Sequence, residues 1–159
     1  MARRYWLFKS DPETFGWDDL LRSPGKRTRW DGVRNYQARN TLRDEVQAGD
    51  GILFYHSQVD KAVVGTAEVV RAGYPDPTQF DPGSPGHDAD SPQDAPRWYA
   101  VDIRAGEALS TPVTLDAMRS IPALRDFPLL RRGQRLSVLP VTAREWEAVM
   151  RIGAGGGRR

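Results

Sequence analysis

The side chains able to do acid–base or nucleophilic chemistry are few in this sequence. It contains two histidines, His56 and His87, and no cysteine. Nucleophilic catalysis needs a serine, threonine or cysteine beside an oriented base, but His56 and Ser57 are neighbours in a predicted strand and therefore point to opposite faces. The chain also has no glycine-rich phosphate loop and no G-x-S-x-G turn. These residues predict a non-enzymatic protein, and a general acid or base role for His56 is the alternative.

A metal site is equally weakly indicated. A hard cation prefers several oxygen ligands, and the chain offers one short cluster of them, at residues 87–90, inside a stretch typical of a solvated turn. Without cysteine there is no thiolate site either. We therefore predict neither a metal nor a cofactor.

Aromatic residues with polar neighbours point instead to binding. Five tryptophans occur in the chain; Trp30 lies between an arginine and an aspartate, and Trp98 follows an arginine. Tyr55 precedes a histidine and a serine. Flat rings flanked by hydrogen-bonding groups suit a planar heterocycle, because stacking stabilises each base by roughly 1–3 kcal/mol while hydrogen bonds recognise its edge. These residues predict a pocket for a base, with a core position as the alternative for both tryptophans.

Positive charge is concentrated in two segments, although the net charge is only +2. Residues 26–43 carry six basic side chains against Asp31, and residues 119–135 carry five arginines against Asp126. Such segregation suits contact with a phosphate backbone. Ordinary solvated surface is the alternative interpretation of both segments.

The first of these segments is the one that we expect to meet phosphates. It leads into a predicted helix whose N-cap is Asn35. We expect Arg34 to lie beside the pocket and a positive face to surround it. Lys26, Arg29 and Arg39 are the predicted phosphate contacts.

Hydrophobic periodicity predicts short strands and short helices in a mixed order. Strands separated by non-local loops, with helices covering the ends, predict an α/β (mixed α+β) fold whose strands curl into a partly closed barrel. The predicted strands cover residues 5–8, 51–57, 62–70, 98–103 and 135–141. The predicted helices cover residues 16–21, 35–49, 114–119 and the stretch that follows the capping box at residues 142–145.

Residues 81–95 are rich in proline, glycine and aspartate. Few of them are apolar and none is lysine or arginine, so we predict a surface loop without its own secondary structure. Such a loop could fold over one rim of the pocket as a lid. Its aspartates would keep it away from phosphates.

The remaining features concern location and extent. The lack of cysteine fits a reducing cytoplasm, the apolar run near the N-terminus is too short for a secretory signal, and no stretch is long enough to span a membrane. We therefore expect a cytoplasmic protein with one domain over residues 1–152 and a flexible tail over residues 153–159.

Seven sequence blocks together resemble the EVE domain family, in the same order and over residues 5–152. They are YWLFKSDPE, WDGVRNYQARN, GDGILFYHS, VVGTAEVV, YPDPTQFDP, PRWYAVDI and LLRRGQRLSVLPVTAREW. The resemblance implies a PUA-like pseudo-barrel of mostly antiparallel strands. It also implies recognition of a modified base, such as methylated or hydroxymethylated cytosine. The residues that it places around the pocket are Lys9, Ser10, Trp30, Arg34, Asn35, Tyr55, His56, Ser57 and Trp98.

The sequence departs from the family pattern at two places. Asp11 stands where relatives often have glutamate, and residues 81–95 diverge from a stretch that usually contains tyrosine. The leading hypothesis is a non-catalytic module that holds one modified base of DNA or RNA. An enzyme using His56 and a small-molecule sensor using the same pocket are the alternatives, and the oligomeric state is left open.

Overall fold

The computed structural model describes residues 3–154, which form six strands and four α-helices. The strands are β1 Tyr5–Ser10, β2 Arg27–Trp30, β3 Gly51–His56, β4 Ala62–Pro75, β5 Tyr99–Thr114 and β6 Val138–Val141. The helices are α1 Trp17–Arg22, α2 Tyr36–Asp44, α3 Leu115–Arg119 and α4 Ala143–Gly153. No helix in this part of the chain is long and apolar enough to cross a membrane.

All six strands belong to one sheet with the order β2-β5-β4-β3-β1-β6. Neighbouring strands are antiparallel except β1 and β3, which run parallel. A parallel pair needs a long crossover, and here α1, β2 and α2 supply it. The predicted mixed α+β class, with mostly antiparallel strands and short helices, is confirmed.

The sheet curls so that its two edges approach each other. Trp30 on edge strand β2 contacts Phe8 of β1 at a centroid distance of 5.3 Å and Phe54 of β3 at 5.7 Å. Two strands separate β2 from β3 in the sheet, so these contacts exist only if the sheet closes around them. Irregular register between β4 and β5 supplies the bends that such curvature requires.

Two clusters of buried side chains lie on opposite faces of the central strands. Trp6 and Phe8 of β1 belong to the cluster inside the curled sheet, whereas Leu7 belongs to the cluster beneath α3 and α4. The alternation follows from the two-residue period of a strand. Because β1 and β3 are covered on both faces, their sequences are continuous apolar runs.

The structure differs from the predicted elements at several places, among them the bounds of β4, which continues to Pro75, and of β6, which begins at Val138. β2 was not predicted, because only Trp30 among its four residues is buried. Helix α2 ends at Asp44 instead of reaching Gly49, whose positive φ of 96° serves the turn before β3. β5 continues to Thr114, through a stretch that lacks alternation. Of the predicted tail, residue 153 closes α4, and residues 155–159 lie outside the described part of the chain.

Candidate functional site

The site cavity, as we call it, lies where the end of β1, the loop before α1, the end of β2 and the loop before α2 meet. Its volume is about 570 Å³, within the roughly 300–1,000 Å³ of small-molecule sites. Two aromatic rings, hydrogen-bonding groups and basic side chains line it. The lining residues are Lys9, Ser10, Asp11, Thr14, Phe15, Thr28, Arg29, Trp30, Asp31, Gly32, Val33, Arg34 and Ser137.

Trp30 is at once a wall of the site cavity and part of the core. Only 9% of its surface is exposed, and its ring meets Phe54 edge-on at an interplanar angle of 83°. Phe15, which is half-buried and packs against the same core, supplies the second ring. Phe15 had not been predicted, and an isolated apolar residue inside the polar stretch after β1 was its only signal.

Ser10 holds the loop that forms one wall of the site cavity. Its hydroxyl donates to the carbonyl of Phe15. Its own carbonyl accepts hydrogen bonds from the backbone N–H of Ser57 at 2.9 Å and from the Ser57 hydroxyl at 3.2 Å. Ser10 therefore orders the cavity wall, and Ser57 supports it from the neighbouring strand.

Arg34 lines the site cavity, but its guanidinium is already saturated. The Nε–H donates to the Gly86 carbonyl, Nη1 donates to the Val33 carbonyl at 2.9 Å and to Asp76 at 3.0 Å, and Nη2 donates to Thr78 and again to Gly86. These bonds use all five donors of an arginine. Arg34 thus ties the loop before α2 to the segment after β4.

Asp76 is the buried anion that fixes this arrangement, since its side chain is fully inaccessible. Burial alone would raise the pKa of Asp76. Hydrogen bonds from Thr78, from the backbone of Gly32 and from Arg34 outweigh that effect and lower the pKa. The carboxylate therefore stays ionised in the fold and holds the backbone of the cavity wall.

Trp98 lies behind Arg34 and does not line the site cavity. Its ring is stacked on Tyr36 at 4.8 Å, its indole N–H donates to Asp88 at 2.7 Å, and the Arg34 guanidinium lies 5.3 Å from its centroid. Asn35 caps α2, as predicted, by accepting from the backbone N–H of residue 38 at 3.0 Å. Both residues support the wall from outside.

The loop of residues 81–95 contains no strand or helix, as predicted. None of these residues, all of which the structure describes, lines the site cavity, so the expected lid is not formed. Gly86 and Asp88 attach the loop to Arg34 and Trp98, and Ser91 donates to the buried Gln79. The loop therefore supports the site cavity from behind, through Arg34 and Trp98.

His56 has both ring nitrogens engaged. Its Nε2 accepts the backbone N–H of Trp17 at 3.0 Å, so the proton must sit on Nδ1, which donates to Asp60 at 2.8 Å. A general base needs a free lone pair, and this ring offers none. Asp60 therefore orients the His56 ring, and the ring in turn links β3 to α1.

A second cavity, of about 480 Å³, adjoins the first through Lys9. We call it the basic groove. Tyr55, whose pKa is raised by burial, and Ser57 lie on its wall. Its cationic lining residues are Lys9, Lys61, Arg119, Arg131, Arg132 and Arg135, and no acidic residue lines it within the described part of the chain.

Lys9 stands at the junction of the two cavities. Its ammonium group donates to the carbonyl of Gln134 at 3.4 Å. Partial burial lowers the pKa of Lys9 below its usual value. Of the pocket residues predicted from sequence, the structure therefore gathers Lys9, Ser10, Trp30 and Arg34 at the site cavity, and it places Tyr55 and Ser57 in the basic groove.

The predicted phosphate contacts are mostly engaged with the protein itself. Arg29 lines the site cavity but pairs with Asp31 at 2.8 Å. Arg39 donates to the carbonyl of Arg97 at 2.6 Å and to a neighbouring side chain. Lys26 is exposed just before β2. Residues 3–154 contain no cluster of three or more histidine, aspartate or glutamate side chains able to hold a metal.

Together these features define a small mixed α+β domain with a curled sheet, an aromatic cavity and a basic groove beside it. The EVE domain family model matches residues 4–152, and the chain belongs to this family. Rat thymocyte nuclear protein 1 is 36% identical over 93% of this chain and 73% of its own length.

Solved structures with the same fold include bacterial and human proteins. A Pseudomonas putida protein has a TM-score of 0.88 and 41% identity, covering 94% of this chain and 99% of its own. Human THYN1 protein, in a complex with DNA that contains 5-methylcytosine, has a TM-score of 0.84 and 35% identity, covering 94% of this chain and 97% of its own. The predicted EVE family and mixed α+β fold class are confirmed.

Proposed function

We propose that this chain is a nucleic-acid-binding domain that accepts one 5-methylated cytosine of DNA in the site cavity. The observation that carries the proposal is the cavity itself, which combines the rings of Trp30 and Phe15 with polar and basic groups. A related protein, human THYN1, was solved with DNA containing that base. The resemblance of fold supports the same class of ligand here.

The binding free energy at such a site is the sum of one cost and several modest gains. A base enters the cavity only after leaving its stack, which costs a few kcal/mol. Stacking on an aromatic ring returns roughly 1–3 kcal/mol. A methyl group against the apolar walls of Phe15, Trp30 and Val33 adds about 0.8 kcal/mol, which corresponds to an affinity preference of about fourfold for the methylated base.

The enzymatic alternative gains nothing from the geometry of His56, because both of its nitrogens are held by Trp17 and Asp60. The small-molecule alternative makes a different prediction about polymer. A sensor would bind the free nucleoside as tightly as the oligonucleotide, and salt would have little effect on that binding.

The test is a fluorescence-anisotropy titration with matched DNA oligonucleotides that contain one cytosine or one 5-methylcytosine. Parallel RNA oligonucleotides and the free nucleoside serve as competitors. We expect the methylated DNA to bind at least about fourfold more tightly. Phe15→Ala is expected to weaken binding by about tenfold or more, because a stacking surface is lost.

The matched control is Phe80→Ala, which removes another half-buried phenyl ring that lines none of the cavities described above. Trp30→Ala is unsuitable, because truncating a core tryptophan destabilises the fold by about 3–5 kcal/mol. Equal affinity for methylated and unmethylated DNA would contradict the proposal. Equal effects of Phe15→Ala and Phe80→Ala would do so too.

A further inference from the structure

The basic groove differs from the rest of the surface in the freedom of its charges. Lys61, Arg119, Arg131, Arg132 and Arg135 are all exposed. Within residues 3–154, none of them has a carboxylate oxygen within 4.0 Å or a side-chain hydrogen bond. Their positive charge is therefore available to an anion from outside the chain.

The backbone of the groove holds three of these arginines in one turn. Gly133 adopts a left-handed φ of 75° between Arg132 and Arg135, and the carbonyl of Arg131 accepts the backbone N–H of Gln134 at 3.1 Å. The carbonyl of Gln134 in turn accepts from Lys9. The turn is thus connected directly to Lys9, which lines both cavities.

We infer that the basic groove binds the phosphodiester backbone of the same strand whose base enters the site cavity, with Lys9 at the junction of the two. This inference rests on the proposed function. A single-stranded segment carries one negative charge for each nucleotide, so a strand leaving the site cavity past Lys9 would bring consecutive phosphates along the groove.

The chemistry of the lining favours a polymer of phosphates over other anions. Arginine matches phosphate oxygens with paired N–H donors, and the amides of Gln58 and Gln134 add the neutral donors that are common at nucleic-acid backbones. Six cations around one groove exceed what a single small phosphate could contact. Their number matches several consecutive phosphates instead.

The test compares two double variants with the same change of charge. Arg131→Ala with Arg135→Ala removes two cations from the groove. Arg144→Ala with Arg151→Ala removes two exposed arginines of α4 that have no ionic partner within residues 3–154 and line none of the described cavities. Affinities for methylated and unmethylated oligonucleotides are measured by anisotropy between about 50 and 200 mM KCl, and urea unfolding verifies that both variants are folded.

We expect the groove variant to bind all oligonucleotides about tenfold or more weakly than wild type. Its slope of log affinity against log salt should be shallower by about 1.4 on single strands and about 1.8 on duplexes, the values for two lost phosphate contacts. The α4 variant should keep the wild-type slope. The preference for the methylated base should be unchanged in both, because it belongs to the site cavity.

The possible results separate the two claims. Equal slopes and affinities for the groove and α4 variants, with the methyl preference intact, would overturn the inference and leave the proposed function standing. A shallower slope for the groove variant, with no methyl preference in any protein, would support the groove and overturn the proposed function. Failure of the wild-type protein to bind any oligonucleotide would overturn both.

Discussion

In residues 26–43 four of the five arginines are bonded to the protein itself, whereas in residues 119–135 the arginines face solvent without ionic partners in the described chain. Arg29 pairs with Asp31, and Arg34 pairs with the buried Asp76. Among the residues that the structure describes, Arg131 and its neighbours in the basic groove have no such partner. Two segments with similar charge in the sequence therefore differ in how many free cations they offer to a ligand.

The difference shows that local charge density does not determine whether a cation is available. The decisive partner of Arg34 comes from the segment after β4, far along the chain. An arginine that pairs with a buried carboxylate stabilises the fold, because removing it leaves an uncompensated buried charge. An arginine on an exposed turn without an acidic neighbour can attract an anion from solution.

The largest expected effect in this comparison is on stability. Arg34→Ala leaves Asp76 buried without its cation and should lower the free energy of unfolding by about 3–5 kcal/mol. Arg131→Ala removes the same side chain from an exposed turn and should change it by no more than about 0.5 kcal/mol. Urea unfolding of both variants measures the difference. Similar losses of unfolding free energy in the two variants would show that Arg34 and Arg131 do not differ in their contribution to stability.

A smaller loss of stability is expected when the carboxylate of Asp76 is itself replaced. Asp76→Asn keeps the shape but weakens hydrogen bonds to a charged group, so we expect a loss of about 1.5–3 kcal/mol at pH 7. The fold lowers the pKa of Asp76, so its ionised form contributes stability above the unfolded pKa of about 3.9, and that contribution is lost as the pH falls through the lower folded pKa.

The gap in unfolding free energy between wild type and Asp76→Asn should therefore narrow below about pH 4. Asp94→Asn, at an exposed residue without a partner in the described chain, is the control and should show no such gap. Urea titrations from about pH 3 to pH 7 measure it. A gap that stays constant across this range would mean that Asp76 titrates alike in the folded and unfolded states.

The smallest effect concerns the backbone that shapes the basic groove. Gly133 has a positive φ, and a Cβ added there would meet nothing within 4 Å. The cost of Gly133→Ala is therefore conformational and should be about 1–2 kcal/mol. Gly133→Asn should cost less, because asparagine tolerates this region better. If urea unfolding gave the same loss of free energy for Gly133→Ala and Gly133→Asn, the left-handed conformation would be excluded as the cause of that loss.

Much of the fold could be predicted because its central strands carry strong local signals. β1, β3 and β4 are apolar runs between turn residues, and Asn35 and Thr142 are good N-caps whose side chains accept the expected backbone N–H groups. β2 could not be predicted. It is a short edge strand whose pairing with β5 compensates for its polar composition.

The candidate site was less predictable, because neighbours in sequence do not reveal neighbours in space. The polar surroundings of Trp98 are explained by its hydrogen bond to Asp88 and its stacking on Tyr36, neither of which is a ligand contact. The polar surroundings of Trp30 do face a cavity. The same local pattern thus arises from two different causes.

The pairing of β1 with β6 has a consequence for how the molecule folds. Tyr5 is in register with Val141, and the backbone N–H of Lys9 donates to the carbonyl of Ser137. Contacts between the two ends of a chain give a high contact order, which slows folding. Ser137, which lines the site cavity beside Lys9, is held in place by this pairing. A chain emerging from the ribosome therefore lacks this part of the cavity lining until β6 has been synthesised and has joined the sheet.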